Sequence, residues 1–162
     1  KGITGGAIPL AATLATPRIF EAHRSTDRAR LFYHSSSYTA NAIACAAAAE
    51  NLAIWAEEDV RGRIAALAQG IADRLALLAG HPAFATPRQI GTIMAIDLVA
   101  ADAGYLSDLA PRLRAFFLER GLLLRPLGNT IYLMPPYCID AQQLDAVFAA
   151  LVAAGDYFGS AS

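Results

Sequence analysis

Leu122-Leu123-Leu124-Arg125-Pro126-Leu127-Gly128-Asn129-Thr130-Ile131-Tyr132-Leu133-Met134-Pro135-Pro136-Tyr137 decides how the chain is read. An apolar run, a Gly-Asn pair and then β-branched and aromatic residues predict two short strands, Leu122–Leu127 and Thr130–Met134, joined by a tight turn. Pro135 and Pro136 close the second strand. Arg125 sits at the end of the first among apolar neighbours, so its backbone is expected to be part-buried. A guanidinium there needs a partner, because an unpaired buried charge is costly. That partner is either an acidic side chain, giving a structural ion pair, or a ligand carboxylate held by two parallel N–H···O bonds.

Working outward, Asp59 is expected to cap a helix over Val60–Leu78. Ile64, Leu67, Ala68, Ile71, Leu75 and Leu78 form its apolar stripe, and Gly80-His81-Pro82 ends it. Arg88–Val99 reads as one strand, with Gly91 marking a bulge or a close approach. Leu106–Arg120 is a further amphipathic helix. Asp140 is expected to cap the last one, Ala141–Ala154, with Leu144, Val147, Phe148 and Leu151 inward. Helices around a few strands of this kind predict an α+β arrangement with a small antiparallel or mixed sheet.

The first third is different in character. Ala7–Leu14 is small and apolar and is expected to be buried, irregular or extended chain. Thr16-Pro17 predicts a short helix through Ala22, with proline at its first position, and Ser25–Arg30 an exposed loop. Ser35-Ser36-Ser37-Tyr38-Thr39 carries five hydroxyls in a row. Asn41 and the alanine-dense helix signal of Ala42–Glu50 follow. Hydroxyls beside a helix start form either a phosphate cradle or a turn that merely caps the helix.

The chain opens Lys1-Gly2-Ile3-Thr4-Gly5-Gly6, and Lys1 is its only lysine. A lysine amine can form an imine with an aldehyde, which a guanidinium cannot, and it sheds its proton when desolvated. The plainer alternative is a solvated charge on a glycine-rich loop.

The 162 residues are 56% hydrophobic and 17% charged, which predicts a globular chain with a core rather than disorder. A net charge of −1 with interspersed signs argues against nucleic acid and against a polybasic membrane surface. No apolar run is long enough for a membrane helix, and no leader peptide is recognisable. The missing initial Met leads us to expect the C-terminal part of a longer protein. Cys45 and Cys138 lie far apart, and His23, His34 and His81 are scattered. Neither a disulfide scaffold nor a metal site is expected, and a reducing cytoplasm fits best.

Taken together, Lys1–Gly6, Tyr33-His34 with the Ser35–Thr39 cluster and Ala40-Asn41, Ala44–Ala48 and Arg125–Tyr137 resemble the C-terminal part of a class III aminotransferase that uses pyridoxal 5'-phosphate. The resemblance covers the chain to about Ala154. It implies an α/β protein of the fold type I pyridoxal-phosphate-dependent transferases. Residues 1–45 would end the large cofactor-binding domain, 46–156 would form a small α+β C-terminal domain, and 157–162 a tail.

The resemblance also implies roles. Lys1 would hold the cofactor covalently and then carry the proton to and from the substrate carbon. Ser37 stands where the family usually has threonine and would bind the cofactor phosphate of the neighbouring subunit, in a homodimer with shared sites. Ser35 and Ser36, where the family often has Gly-Pro, would border the amino donor. Arg125 would hold the substrate carboxylate. The Arg125–Tyr137 segment points to members acting in biotin biosynthesis. That implies S-adenosyl-L-methionine as amino donor and 8-amino-7-oxononanoate as acceptor. An ω-amino-acid:pyruvate aminotransferase and a non-catalytic dimerisation domain remain the alternatives. The residues that would complete the site, such as an aspartate for the pyridine nitrogen, lie upstream of Lys1 in such enzymes.

Overall fold

A computed structural model describes residues 1–100, 104 and 107–159. It comprises two compact units, Lys1–Val60 and Arg61–Ser162.

In the first unit a short 3-10 turn, Gly2–Thr4, packs on α2 (Ala42–Glu57). The expected short helix is α1, Pro17–His23, with Thr16 at its N-cap. α2 starts where Asn41 predicts, because the Asn41 side chain accepts from both the Ile43 and the Ala44 N–H at 3.1 Å. It then continues unbroken past Glu50 to Glu57, so the expected boundary at 45/46 falls inside a helix. The expectation of a buried Ala7–Leu14 segment is corrected. Residues 11–16 are exposed, and Leu14 is 96% accessible, since nothing among the described residues of this unit packs over them.

The second unit is built on a three-stranded antiparallel sheet in the order β1 (Phe84–Ile90), β2 (Ile93–Leu98), β3 (Thr130–Leu133). The sequence reading of Arg88–Val99 as one strand is corrected: the run folds back on itself as a hairpin. Ile90 pairs with Ile93, which leaves Gly91 and Thr92 as the two-residue loop. Gly91 has φ +54, the left-handed angle that the first position of such a loop needs. The Leu122–Leu127 strand is not formed either. Pro126 offers no N–H to a ladder, and only Leu127 bridges to Thr130. The Gly128-Asn129 turn stands as expected: Leu127 and Thr130 exchange N–H···O bonds of 2.9 and 3.0 Å around it.

Alternation along β2 and β3 buries Met94, Ile96, Leu98, Ile131 and Leu133 on one face. α3 (Val60–Leu78), α4 (Leu109–Leu118) and α5 (Ala141–Gly159) contribute Ile71, Leu75, Phe117, Leu113, Leu144 and Leu151 to the same core. Those of α3 and α5 lie on the stripes read from the sequence. α4 begins three residues inside the expected helix, whose first residue, Leu106, lies outside the described residues. α5 begins where Asp140 predicts. Asp140 accepts from the Gln143 N–H at 2.7 Å, and Gln143 accepts from the Asp140 N–H at 3.0 Å, a reciprocal cap. α5 runs on to Gly159, so 157–159 belong to the helix and only 160–162 of the expected tail lie outside the described residues. Among the described residues, no helix is long and apolar enough to cross a membrane.

On the opposite face of the sheet, Asp97 gathers a polar cluster. Arg88 donates to both its oxygens at 3.0 Å, Thr130 donates at 2.7 Å, and Thr86 donates from a bulge where its φ is +48. Burial pushes the Asp97 carboxyl up, but these hydrogen bonds and the charge of Arg88 outweigh it and hold the carboxyl below its ordinary value. Folding therefore releases protons here. The resulting stability is complete above the unfolded carboxyl's pKa of about 3.9 and drains away as pH falls through the lower folded value. Asp97→Asn is expected to cost about 1–2 kcal/mol at pH 7. The gap between variant and wild type should shrink at pH 2–3, read as urea midpoints; an undiminished gap in acid contradicts this account.

Candidate active site

The Lys1 loop is a fixed structure. The Gly6 N–H donates to the Lys1 carbonyl at 2.8 Å and the Gly5 N–H to the Gly2 carbonyl at 3.2 Å. Gly5 closes the turn at φ +62, an angle that favours glycine. Thr4 is buried, and its hydroxyl donates to the Ile8 carbonyl at 2.6 Å. The loop rests on the face of α2 that carries buried Ala44 and Ala48 and half-buried Ala47 and Asn51. Small side chains at helical spacing let the loop backbone come close to the helix. Asn51 fastens it: its Nδ2 donates to the Gly2 carbonyl at 3.1 Å and to the Ile3 carbonyl at 3.0 Å. Lys1 itself is exposed.

In the same unit, Ser35, Ser36 and Ser37 lead into a turn at 37–40 that ends on Ala40, whose φ is +56. The two readings of the serine cluster are now distinguishable. Asn41, not a serine, caps α2. The three serine side chains have no hydrogen-bond partner among the described residues, and all three are exposed. Their hydroxyls are uncommitted donors.

Arg125 belongs to the second unit. The expected part-buried strand end is corrected: Arg125 lies exposed in irregular chain between half-buried Leu124 and buried Pro126. It has no ion pair or hydrogen bond among the described residues, in contrast to Arg74, which pairs with Asp145 at 2.6 Å, and to Arg88 with Asp97. Arg125 lines an open pocket of about 330 Å³ with Pro126, Leu127, Ser107, Asp108 and Pro111 from the start of α4. The Ser107 hydroxyl accepts from the Leu109 N–H at 3.0 Å, which orders that wall. The guanidinium of Arg125 is free to pair with a carboxylate, on a wall that carries apolar side chains, the Ser107 hydroxyl and the acidic Asp108.

The sequence reading named Lys1, Ser35, Ser36, Ser37 and Arg125. It missed Asn51 and the Ser107–Asp108 wall. The signal for Asn51 was present: it is a poor helix former placed i+7 from Ala44 and i+4 from Ala47 in an alanine-rich helix. Among the described residues, no group of three His, Cys, Asp or Glu could hold a metal.

Comparison with known proteins bears on this geometry. The sequence profile of class III aminotransferases matches residues 1–154. The adenosylmethionine-8-amino-7-oxononanoate aminotransferase of Synechococcus elongatus is 43% identical over 155 residues, which covers 93% of this chain and 35% of that protein. The enzyme of the same name from Helicobacter pylori is 37% identical over 157 residues, covering 94% and 35%. The crystal structure of the Methanocaldococcus jannaschii enzyme of that name superposes with a TM-score of 0.83 at 30% identity, covering 96% of this chain and 37% of that one. The chain thus spans about a third of the length of the curated relatives it matches.

Proposed function

Because the chain belongs to the class III aminotransferases, we propose that the full-length protein transfers an amino group from S-adenosyl-L-methionine to 8-amino-7-oxononanoate. The product is 7,8-diaminononanoate, a step of biotin biosynthesis. The fold is that of the fold type I pyridoxal-phosphate-dependent transferases. The observation that carries the proposal is the 43% identity, over 93% of this chain, to a relative named for these two substrates. The Lys1 loop, the serine cluster and Arg125 all lie within the 154 residues that match the family. In this reading the first unit ends a large cofactor-binding domain and the second is a small C-terminal domain, in a cytoplasmic homodimer.

The residues present fit pyridoxal 5'-phosphate. Lys1 offers a primary amine for its aldehyde, and Ser37 an uncommitted hydroxyl for the phosphate of the cofactor in the neighbouring subunit. When bound, the cofactor supplies an electron sink for the pair left behind as a proton departs the substrate carbon. The chain's own residues do the rest. Lys1 Nζ would hold the cofactor covalently and, once the substrate's amine has displaced it from that bond, would as the freed neutral amine take that proton and return it. Ser35 and Ser36 border the donor. Arg125 grips the distant carboxylate of the acceptor and so sets which carbon lies at the reacting end.

Two measurements on the full-length protein test this. The purified protein should be yellow, and borohydride should fix the cofactor on the peptide carrying Lys1. A colourless protein, or label on another peptide, defeats the proposal. Arg125→Ala should raise the KM for 8-amino-7-oxononanoate by about 10–100-fold, the worth of a charge-assisted pair, and leave the KM for S-adenosyl-L-methionine within about 2-fold. An unchanged acceptor KM removes Arg125 from this role.

A further inference from the structure

We infer that Asn51 is a positioning residue for Lys1: it holds the backbone behind the lysine in the one conformation that presents the amine. The inference rests on the assignment of Lys1 as the reacting amine. Three observations carry it. Both Asn51 amide hydrogens are spent on consecutive carbonyls, those of Gly2 and Ile3, directly after Lys1. Gly5, which turns the loop at φ +62, lies so near that a Cβ there would stand 3.3 Å from Asn51 Oδ1. Lys1 has no side-chain hydrogen bond or ion pair among the described residues, so within this chain it is the loop backbone that bears on where its amine lies.

A lysine side chain has four rotatable torsions and ordinarily samples many positions. Its reach is useful only if its Cα is fixed, since an error near 1 Å at the reacting centre can cost about 100-fold in rate. Two adjacent carbonyls captured by one rigid amide fix both the translation and the tilt of the turn. A single hydrogen bond would leave it free to swing. Asn51 reaches them because α2 carries only alanine at 44, 47 and 48 on the same face. A larger residue there would lift the loop out of range.

Asn51→Asp keeps the size of the side chain but points an acceptor at two acceptors. Asn51→Ala removes the contact, and Asn51→Ser stands in if the alanine variant does not fold. In the full-length, cofactor-free protein we expect the Gly5 and Gly6 amides to exchange at least about 10-fold faster in both variants, with α2 amides beyond Ala48 unchanged. In the loaded enzyme kcat should fall about 10–100-fold, more for Asp than for Ala, while the KM for 8-amino-7-oxononanoate stays within about 2-fold. A kcat within 2-fold of wild type in both variants, or exchange at Gly5 and Gly6 that does not change, overturns the inference. If wild type itself fails to trap cofactor on Lys1, the aminotransferase reading falls and the catalytic half of this inference with it. Amide exchange then still decides whether Asn51 holds the loop.

Discussion

Lys1→Ala in the full-length protein is expected to reduce turnover by about 10⁴-fold, the upper range for removing a general acid–base, on the proposed assignment of Lys1 as the reacting amine. Within this chain no other lysine is available to substitute, because Lys1 is the only one. The basic residues nearest in sequence are arginines, starting at Arg18, which cannot give up a proton. Lys1→Arg is the sharper variant, because it keeps the charge and most of the length but has no amine to bond an aldehyde or to exchange a proton. Single-turnover rates with S-adenosyl-L-methionine should be as low for arginine as for alanine. Retention of more than a tenth of wild-type rate by Lys1→Arg would mean that charge, not nucleophilicity, is what position 1 supplies.

The second large effect is on stability. Phe117→Ala is expected to cost about 3–5 kcal/mol in the second unit, through lost transfer energy and the cavity left behind. Phe117 is fully buried on α4 in the cluster that joins α3, α5 and the sheet, and its ring meets Phe116 edge-on at 5.6 Å. Phe117→Leu, which refills much of the volume, should cost only about 1 kcal/mol. Because the chain has two units, a single melting midpoint does not isolate this effect. Exchange of the β2 amides of Met94, Ile96 and Leu98 does. They should open about 10²–10⁴-fold faster in the alanine variant, and an unchanged rate would mean that the sheet does not depend on α4.

What was legible in the sequence was what local chemistry dictates. Asn41 and Asp140 each started a helix by accepting from its first N–H groups, and Thr16-Pro17 started one with proline, whose fixed φ suits the first position, whatever lies elsewhere. The stripes of α3 and α5 named their buried residues for the same reason. Errors arose where strand pairing decides. Residues 88–99 carry apolar residues on both sides of Gly91, so nothing but register shows that Ile90 faces Ile93. Leu122–Leu127 has strand composition but a proline at the decisive donor. The positive φ of Ala40 and Thr86 could not be read at all, since neither residue type favours it. The site followed the same division. Lys1 and Arg125 were singled out by chemical type and by family resemblance. Asn51 was missed because its role is a contact across 49 positions of sequence.

The cap on α2 has one more consequence. Since Asn41 alone satisfies the first N–H groups of that helix, Ser35, Ser36 and Ser37 owe nothing to its stability. Their replacement is close to thermodynamically neutral, within about 0.5 kcal/mol as at other surface positions. At Ser35 and Ser36 a lineage can therefore explore sequence space without crossing its folding threshold, whereas Ser37 stays tied to its proposed phosphate contact. On the proposed placement of Ser35 and Ser36 beside the amino donor, donor preference can shift at these two positions at little cost to the fold.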